Sequence, residues 1–243
     1  MVAVVVRSGR GRAVEFEMSG ALCLIKVGKR ASVRRVKKAL RPFGDGYILS
    51  EDFESSFRSH FSEYDCSALR ETLLFNMFVK TVAAGRFGKI GVVCTNTLTP
   101  LRAAELLSFV SELILVSAEF CEQFLLDCIT QYGTCPDLGT FSDLYSCDAV
   151  LSVDGLANFE GVLLGKGGVT VCGDGLPLPH TATQALSLNA DPIKLLNLLS
   201  AQTGEDLGSL CPSVVCSCGR KMSYRAFLNL IRKDFVVNSL GLV

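Results

Sequence analysis

The spacing of apolar residues divides the chain into two parts that meet near residue 86. In the first part, short apolar runs between glycines predict strands, and two stretches with a helical period predict amphipathic helices. The predicted strands are 3–6, 13–18, 21–27 and 47–49, and the predicted helices are 32–41, capped by Ser32, and 65–84, capped by Asp65 or Ser67. This mixture predicts a smaller α+β N-terminal domain over residues 1–85.

The second part alternates regularly between strand-like and helix-like segments. Thr99 followed by Pro100 marks a helix start, because a threonine hydroxyl can cap a helix and proline suits its first position. The predicted strands are 90–94, 113–117, 149–153 and 167–172, and the predicted helices are 100–110, 119–132, 191–201 and 223–235. Such alternation predicts an α/β fold, a Rossmann-like parallel-sheet domain over residues 86–243 with a C-terminal helical extension.

Composition indicates an ordered globular protein with a large core. The chain has 243 residues, of which 49% are hydrophobic, and no apolar run approaches the roughly 18 to 20 residues that cross a bilayer. The apolar start is too short for a signal peptide. Eleven cysteines, odd in number and often within apolar segments, favour reduced thiols. We therefore expect a cytoplasmic protein with no membrane segment.

Charge is unevenly placed although the formal net charge is zero. Residues 1–41 hold eleven Lys or Arg against two acids, so they carry +9 and the remainder −9. Residues 26–41 contain eight basic residues and no acid, which could contact phosphates of a nucleic acid or nucleotide. They could equally form a solvated helix face or meet acidic residues within the chain or across a homo-oligomer. No aromatic residue interleaves them, so nucleic acid is not the expected partner.

Ligands of open α/β sheets bind beyond the carboxyl ends of the parallel strands. The residues that follow the predicted strands are the candidate ligand-binding residues: Thr95, Asn96, Thr97, Thr99, Ser117, Glu119 and Asp154. Over residues 86–156, the order of a strand, a helix, the strand ending before Glu119 and the strand at 142–153 resembles the shikimate-dehydrogenase-type Rossmann domains. The resemblance implies a nucleotide at these strand ends, with Glu119 placed to bind a ribose and the helix start at Thr99 to bind an anion.

The glycine-rich loop of that family is absent. Residues 95–100 read Thr-Asn-Thr-Leu-Thr-Pro where G-x-G-x-x-G would let the backbone approach a pyrophosphate. The leading hypothesis is therefore a non-catalytic or regulatory protein with a degenerate Rossmann-like domain that binds an anionic small ligand or nucleotide. The alternatives are an NAD(P)- or nucleotide-dependent oxidoreductase-like enzyme that uses this loop, and a nucleic-acid-binding protein that uses residues 26–41. The sequence assigns no cofactor.

Two further groups of residues could carry chemistry. Cys211, Cys216 and Cys218 could bind zinc with a fourth ligand, but they form no C-x2-C pair, so we predict no metal site and expect small buried or redox-sensitive thiols. Asp174 and His180 bound a Gly/Pro-rich loop that could supply a general base or form only a turn. The sequence contains no G-x-S-x-G, G-x4-G-K-[ST] or H-E-x-x-H motif, which argues against the commonest classes of hydrolase, P-loop NTPase and metalloprotease.

Overall fold

The structure, a computed structural model, describes residues 1–9, 11–94, 98–117, 122–153, 159–165, 167–178, 180–187 and 189–240. The strands are β1 (Val2–Arg7), β2 (Val14–Ser19), β3 (Leu22–Val27), β4 (Tyr47–Leu49), β5 (Lys89–Val93), β6 (Glu112–Val116), β7 (Asp137–Leu138), β8 (Ala149–Ser152), β9 (Gly161–Leu164), β10 (Gly167–Val171), β11 (Val214–Ser217) and β12 (Arg220–Ser223). The helices are α1 (Val33–Leu40), α2 (Ser55–Arg58), α3 (Ser67–Gly85), α4 (Pro100–Leu107), α5 (Glu122–Tyr132), α6 (His180–Ser187), α7 (Pro192–Thr203) and α8 (Tyr224–Leu240).

These elements form two compact units. The first unit comprises Met1–Leu69 and Leu176–Ser209, and the second comprises Arg70–Gly175 and Leu210–Val243. Compactness alone does not show which segments fold independently, so the predicted division between residues 85 and 86 stays a prediction. The predicted α/β fold class is confirmed, with a small N-terminal sheet and a larger sheet in the middle and C-terminal part.

The first unit is built on a four-stranded sheet with the order β2-β3-β1-β4. β1 runs parallel to β3 and β4, whereas β2 is an antiparallel edge strand. One face of the sheet packs on α1 through Val36 and Leu40, and the other packs on α6 and α7. Both faces are covered because the β1 sequence, Val-Ala-Val-Val-Val-Arg, places apolar side chains on each side.

The caps of the helices in this unit differ from one another. Ser32 stands at the N-cap of α1 in an extended conformation, but its side chain makes no capping hydrogen bond, so the predicted cap is wrong in that respect. Before α3, by contrast, Asp65 Oδ1 accepts the Ser67 N–H at 2.9 Å and Asp65 Oδ2 accepts the Ser67 hydroxyl at 2.9 Å. These two bonds lower the pKa of the Asp65 carboxyl, the backbone bond most.

The second unit is built on an eight-stranded mixed sheet with the order β12-β11-β10-β9-β8-β5-β6-β7. Strands β5 to β8 are parallel to one another, and their order β7-β6-β5-β8 is that of the first four strands of a Rossmann sheet. Strands β9 to β12 pair antiparallel. The predicted strand at 167–172 is present as β10, but a two-residue connection joins it to β9, which forces a hairpin instead of a parallel crossover.

One face of the large sheet carries most of the core of the second unit. Phe78 of α3, Leu106 of α4 and Phe227 of α8 pack in the same buried cluster as the inward-facing residues of β5 and β6. Within it, the Tyr224 hydroxyl donates to the Met77 carbonyl at 2.6 Å and lies 3.1 Å from the Thr81 hydroxyl. Burial raises the Tyr224 pKa.

Three further predictions concern the cap of α8, the state of the cysteines and the presence of a membrane-spanning helix. Ser223 caps α8 as predicted, since its Oγ accepts the Ala226 N–H at 3.2 Å. None of the ten cysteines in the described ranges forms a disulfide, and Cys121 lies outside those ranges. Among the helices that the structure describes, none is long and apolar enough to cross a bilayer.

Candidate functional site

Three neighbouring parallel strands of the second unit end at the same level. Val93, the last residue of β5, pairs with Val116 of β6 on one side and with Ser152 of β8 on the other. The Cys94 N–H donates to the Val116 carbonyl at 3.2 Å, and the Val153 N–H donates to the Val93 carbonyl at 3.1 Å. Because the chain continues from β5 to β6 on one side while β8 lies on the other, the order of strands reverses here, and such a switch point is where open α/β sheets bind ligands.

The structure describes two of the seven predicted ligand-binding residues. Thr99 is the N-cap of α4, where its Oγ accepts the Arg102 N–H at 3.3 Å, and Ser117 follows β6 directly and is half-buried. The other five, Thr95, Asn96, Thr97, Glu119 and Asp154, lie outside the described residues. A role for these seven residues in ligand binding stays a prediction.

Ser152 is a residue at this edge that the sequence did not single out. It is 0% exposed, and its Oγ has no hydrogen-bond partner in the described chain. A buried hydroxyl that makes no hydrogen bond costs about 1–3 kcal/mol, so native proteins rarely leave one unpaired. The one signal in the sequence is a lone polar residue near the end of an otherwise apolar strand, which is also an ordinary strand pattern.

Arg102, in the first turn of α4, contacts the N-terminal half of α3. Its guanidinium forms an ion pair with Glu71, Nη2 donates to the Thr72 hydroxyl at 3.3 Å, and the guanidinium carbon lies 4.7 Å from the centre of the Phe75 ring. Both members of the ion pair are mostly buried. The contacts fix the start of α4 against α3.

A second ion pair also involves the first turn of α3. Arg70 Nη1 lies 3.1 Å from Glu160 Oε2. Glu160 immediately precedes Gly161, which pairs with Ser152 across β8 and β9. The pair therefore joins the start of α3 to the start of β9. The sequence could not reveal this pair because its members are 90 residues apart.

The chemistry of the described part of this edge is that of hydrogen bonding. Its polar side chains are the hydroxyls of Thr99, Ser117 and Ser152 and the two arginine–glutamate pairs, with no histidine among the described residues there. The carboxylates of both pairs bind guanidinium groups. Such a set suits binding better than proton transfer.

The three cysteines of the predicted cluster lie on β11, in the turn after it and before the strand. Cys216 lies on β11, Cys218 is exposed in the β11–β12 turn with φ +50°, and Cys211 is half-buried with its pKa raised chiefly by burial. The described residues contain no group of three or more His, Cys, Asp or Glu that could hold a metal ion. His180 is the first residue of α6 in the first unit, whereas Asp174 belongs to the second unit.

Residues 26–41 end β3 and form α1. Lys26 forms an ion pair with Glu17 at 2.7 Å. The other seven basic residues of this segment are exposed and form no ion pair within the described residues. The acidic residues described in the first unit therefore do not neutralise the segment.

Comparisons with known proteins assign no family. No protein-family model matches the chain, and no curated protein matches it. The crystal structure of L-tryptophan dehydrogenase from Nostoc punctiforme is similar at 12% sequence identity and a TM-score of 0.33, over 90% of this chain and 75% of that chain. A TM-score this low transfers neither fold nor function, so the candidate site rests on its own geometry.

Proposed function

We propose that this chain is a non-catalytic ligand-binding protein that holds an anionic small molecule of the nucleotide class at the carboxyl ends of β5, β6 and β8. The main support is Ser152, a fully buried hydroxyl without a partner in the described chain, at the point where the strand order reverses. A ligand that hydrogen-bonds to this hydroxyl removes the cost of leaving it unpaired.

The start of α4 provides a place for the anionic group of the ligand. Helix N-termini attract anions because the first N–H groups point outward and the helix dipole is positive there. Thr99 caps this end of α4, and Arg102 in its first turn anchors it to Glu71 of α3. Thr95, Asn96, Thr97, Ser117, Glu119 and Asp154 are the further residues that we assign to this site.

The missing glycines narrow the class of ligand. A dinucleotide pyrophosphate must approach the backbone after the first strand closely, which the glycines of G-x-G-x-x-G permit, and none of residues 94–100 is glycine. A mononucleotide or another small molecule with a single phosphate or carboxylate group can be bound through side-chain hydroxyls. We therefore expect a nucleoside monophosphate or a sugar phosphate to bind more tightly than NAD or NADP.

The test is thermal stabilisation of the full chain by AMP, ADP, ATP, NAD, NADP, glucose 6-phosphate and inorganic phosphate. A ligand at 100 times its Kd stabilises the folded state by about 2.7 kcal/mol. Ser152→Ala and the triple change of Thr95, Asn96 and Thr97 to Ala should each raise Kd at least tenfold. Ser111→Ala is the matched control, because Ser111 lies at the amino edge of the same sheet and its hydroxyl donates to the Gly88 carbonyl at 2.7 Å.

Two results contradict the proposal. If no compound stabilises the protein, or if Ser152→Ala leaves Kd unchanged, the edge is not a binding site of this kind. If NAD or NADP binds most tightly and its reduced form accumulates with a hydroxy or amino acid, the oxidoreductase alternative replaces it.

A further inference from the structure

The edge strand β2 of the first unit presents unpaired backbone groups beside a basic helix. The Gly28 N–H donates to the Ala13 carbonyl at 2.9 Å, which identifies these two residues as a hydrogen-bonded pair of the antiparallel ladder. Such pairs alternate along the ladder. Phe16 and Met18 therefore direct their N–H and C=O groups away from β3, and β3 is the only described strand that pairs with β2.

The side chains of Phe16 and Met18 lie on the face of the sheet that packs against α1, but they extend beyond the part of that face that α1 buries. Phe16 and Met18 pair with Ile25 and Cys23 of β3, which are buried in the core beneath α1. Phe16 is nevertheless 55% exposed and Met18 is 58% exposed. Edge strands of soluble proteins usually carry charge or a bulge that discourages pairing, and on this face β2 carries neither.

A groove lies between the exposed apolar side chains of β2 and helix α1. It has a volume of about 400 Å³ and is lined by Val14, Phe16, Arg35, Lys38 and Ala39. Arg35 and Lys38 are three residues apart and so lie on one side of the helix. The Arg35 Nη1 donates to the Arg12 carbonyl at 2.5 Å, which holds the guanidinium near the start of β2.

The charges identify the kind of occupant. Arg35 and Lys38 are exposed and form no ion pair within the described residues, so the groove attracts acidic side chains. On the opposite face of β2, Glu15 and Glu17 flank Lys26, so an added strand meets acidic groups there. The complementary strand is acidic and apolar on one face and neutral or basic on the other.

The same charges disfavour other occupants. Pairing of β2 with β2 of a second copy brings Glu15 and Glu17 of both copies onto one face, and like charges across a ladder are destabilising. A nucleic acid or an anionic membrane supplies no strand for the outward N–H and C=O groups, and Glu15 and Glu17 repel it. A protein segment uses all of these features.

We propose that β2 and α1 form a docking site for an extended acidic segment of another protein, which adds to the sheet as a fifth strand. Its backbone bonds to β2 at Phe16 and Met18, its apolar side chains pack on theirs, and its acidic side chains pair with Arg35 and Lys38. Strand addition of this type derives affinity from the backbone and specificity from alternate side chains.

A fluorescein-labelled peptide with the repeat Glu-Thr-Val-Thr, nine residues long and ending on Glu, serves as the probe for the full chain. Fluorescence anisotropy should show saturable binding, at least tenfold tighter than for the same peptide with Lys in place of Glu. The double variant Arg35→Glu, Lys38→Glu should weaken binding at least tenfold, and Arg35→Gln, Lys38→Gln provides the same comparison if charge reversal impairs folding.

Two controls separate strand addition from general attraction to a basic protein. Lys37 and Arg41 line a different groove of α1, so Lys37→Glu, Arg41→Glu makes the same charge change and should alter Kd less than threefold. Peptides N-methylated at odd or at even positions block opposite edges of the bound strand, so one set should lose at least tenfold in affinity and the other should bind normally.

The proposal fails if the acidic peptide does not bind at 1 mM or if the two methylated peptides bind with the same affinity. It also fails if Arg35→Glu, Lys38→Glu and the control Lys37→Glu, Arg41→Glu weaken binding equally. A third contrary result is that a phosphatidylserine vesicle or single-stranded DNA, and not the peptide, binds the Arg35/Lys38 double variant more weakly than the Lys37/Arg41 control. If the protein forms a dimer and Phe16→Lys dissociates that dimer, the occupant is a second copy of the chain and the proposal is overturned.

Discussion

Replacement of Ser152 by alanine should stabilise the ligand-free protein. The side chain is 0% exposed, and its hydroxyl makes no hydrogen bond in the described chain. In water, in the unfolded state, the same hydroxyl is fully hydrated. Folding therefore removes its hydrogen bonds to water without replacing them, and alanine avoids that loss.

The size of the effect follows from two opposing contributions. An unpaired buried hydroxyl costs about 1–3 kcal/mol, while the small gap left by the missing oxygen removes part of that gain. We expect a net stabilisation of about 1 kcal/mol, which corresponds to about 2–4 °C in Tm for a protein of this size. With a saturating ligand at the site the sign should reverse, because alanine cannot hydrogen-bond to the ligand.

Thr81→Val is the matched comparison, since Thr81 is also 0% exposed in the second unit but its hydroxyl donates to the Met77 carbonyl at 2.8 Å. It should destabilise by about 1–3 kcal/mol, because the Thr81 hydroxyl is hydrogen-bonded to the Met77 carbonyl and to the Tyr224 hydroxyl and each bond is worth about 0.5–1.5 kcal/mol. Urea unfolding followed by circular dichroism measures both variants, with an unchanged m-value as the check that only stability has altered. If Ser152→Ala destabilises the ligand-free protein as Thr81→Val does, the Ser152 hydroxyl is hydrogen-bonded in the folded state. The main support for the proposed site is then lost.

Two further predictions concern the frame of the site and the start of α3. Gly161→Ala should destabilise by about 1–3 kcal/mol, because an added Cβ lies 2.4 Å from the Val169 carbonyl and φ is +150°; Gly165→Ala, with no atom within 4 Å, should change urea stability by less than about 0.5 kcal/mol. Asp65→Asn should lower stability at pH 7, and the difference should shrink as pH falls below the ordinary aspartate pKa of about 3.9 and through the lower folded-state pKa, since the contribution of a depressed carboxyl is lost on protonation. A difference between Asp65→Asn and the original protein that is constant from pH 7 to pH 3 would show that the carboxylate charge is not involved.

Local sequence was a sound guide wherever local energetics decide the structure. The apolar runs at β1, β3, β5 and β6 and the helical periods at α1 and α3 correspond to observed elements, because burial of one face or of both faces imposes its period on the chain. Thr99 and Ser223 cap their helices for an equally local reason. Ser32 shows the limit, since a residue suited to capping makes no bond in its actual rotamer.

Elements whose neighbours are distant in the chain could not be predicted in the same way. The hairpins of β9 to β12 extend the parallel sheet, and β7 is two residues long, too short for any period to be visible. α6 and α7 pack on the N-terminal sheet although more than 100 residues separate them from it. The choice between parallel and antiparallel pairing depends on which edge of the sheet is vacant, and that is settled only when the sheet assembles.

By itself, the sequence determined the α/β class, the strand–helix rhythm of its middle third, the absence of a glycine loop at residues 95–100 and the basic character of α1. Only the tertiary structure decided that β5, β6 and β8 end side by side, that Ser152 is buried there without a partner, and that Phe16 and Met18 lie beside Arg35 and Lys38. The reason is physical: periodicity and capping act over a few residues, whereas desolvation of a hydroxyl and pairing of charges depend on which remote segments fold against it.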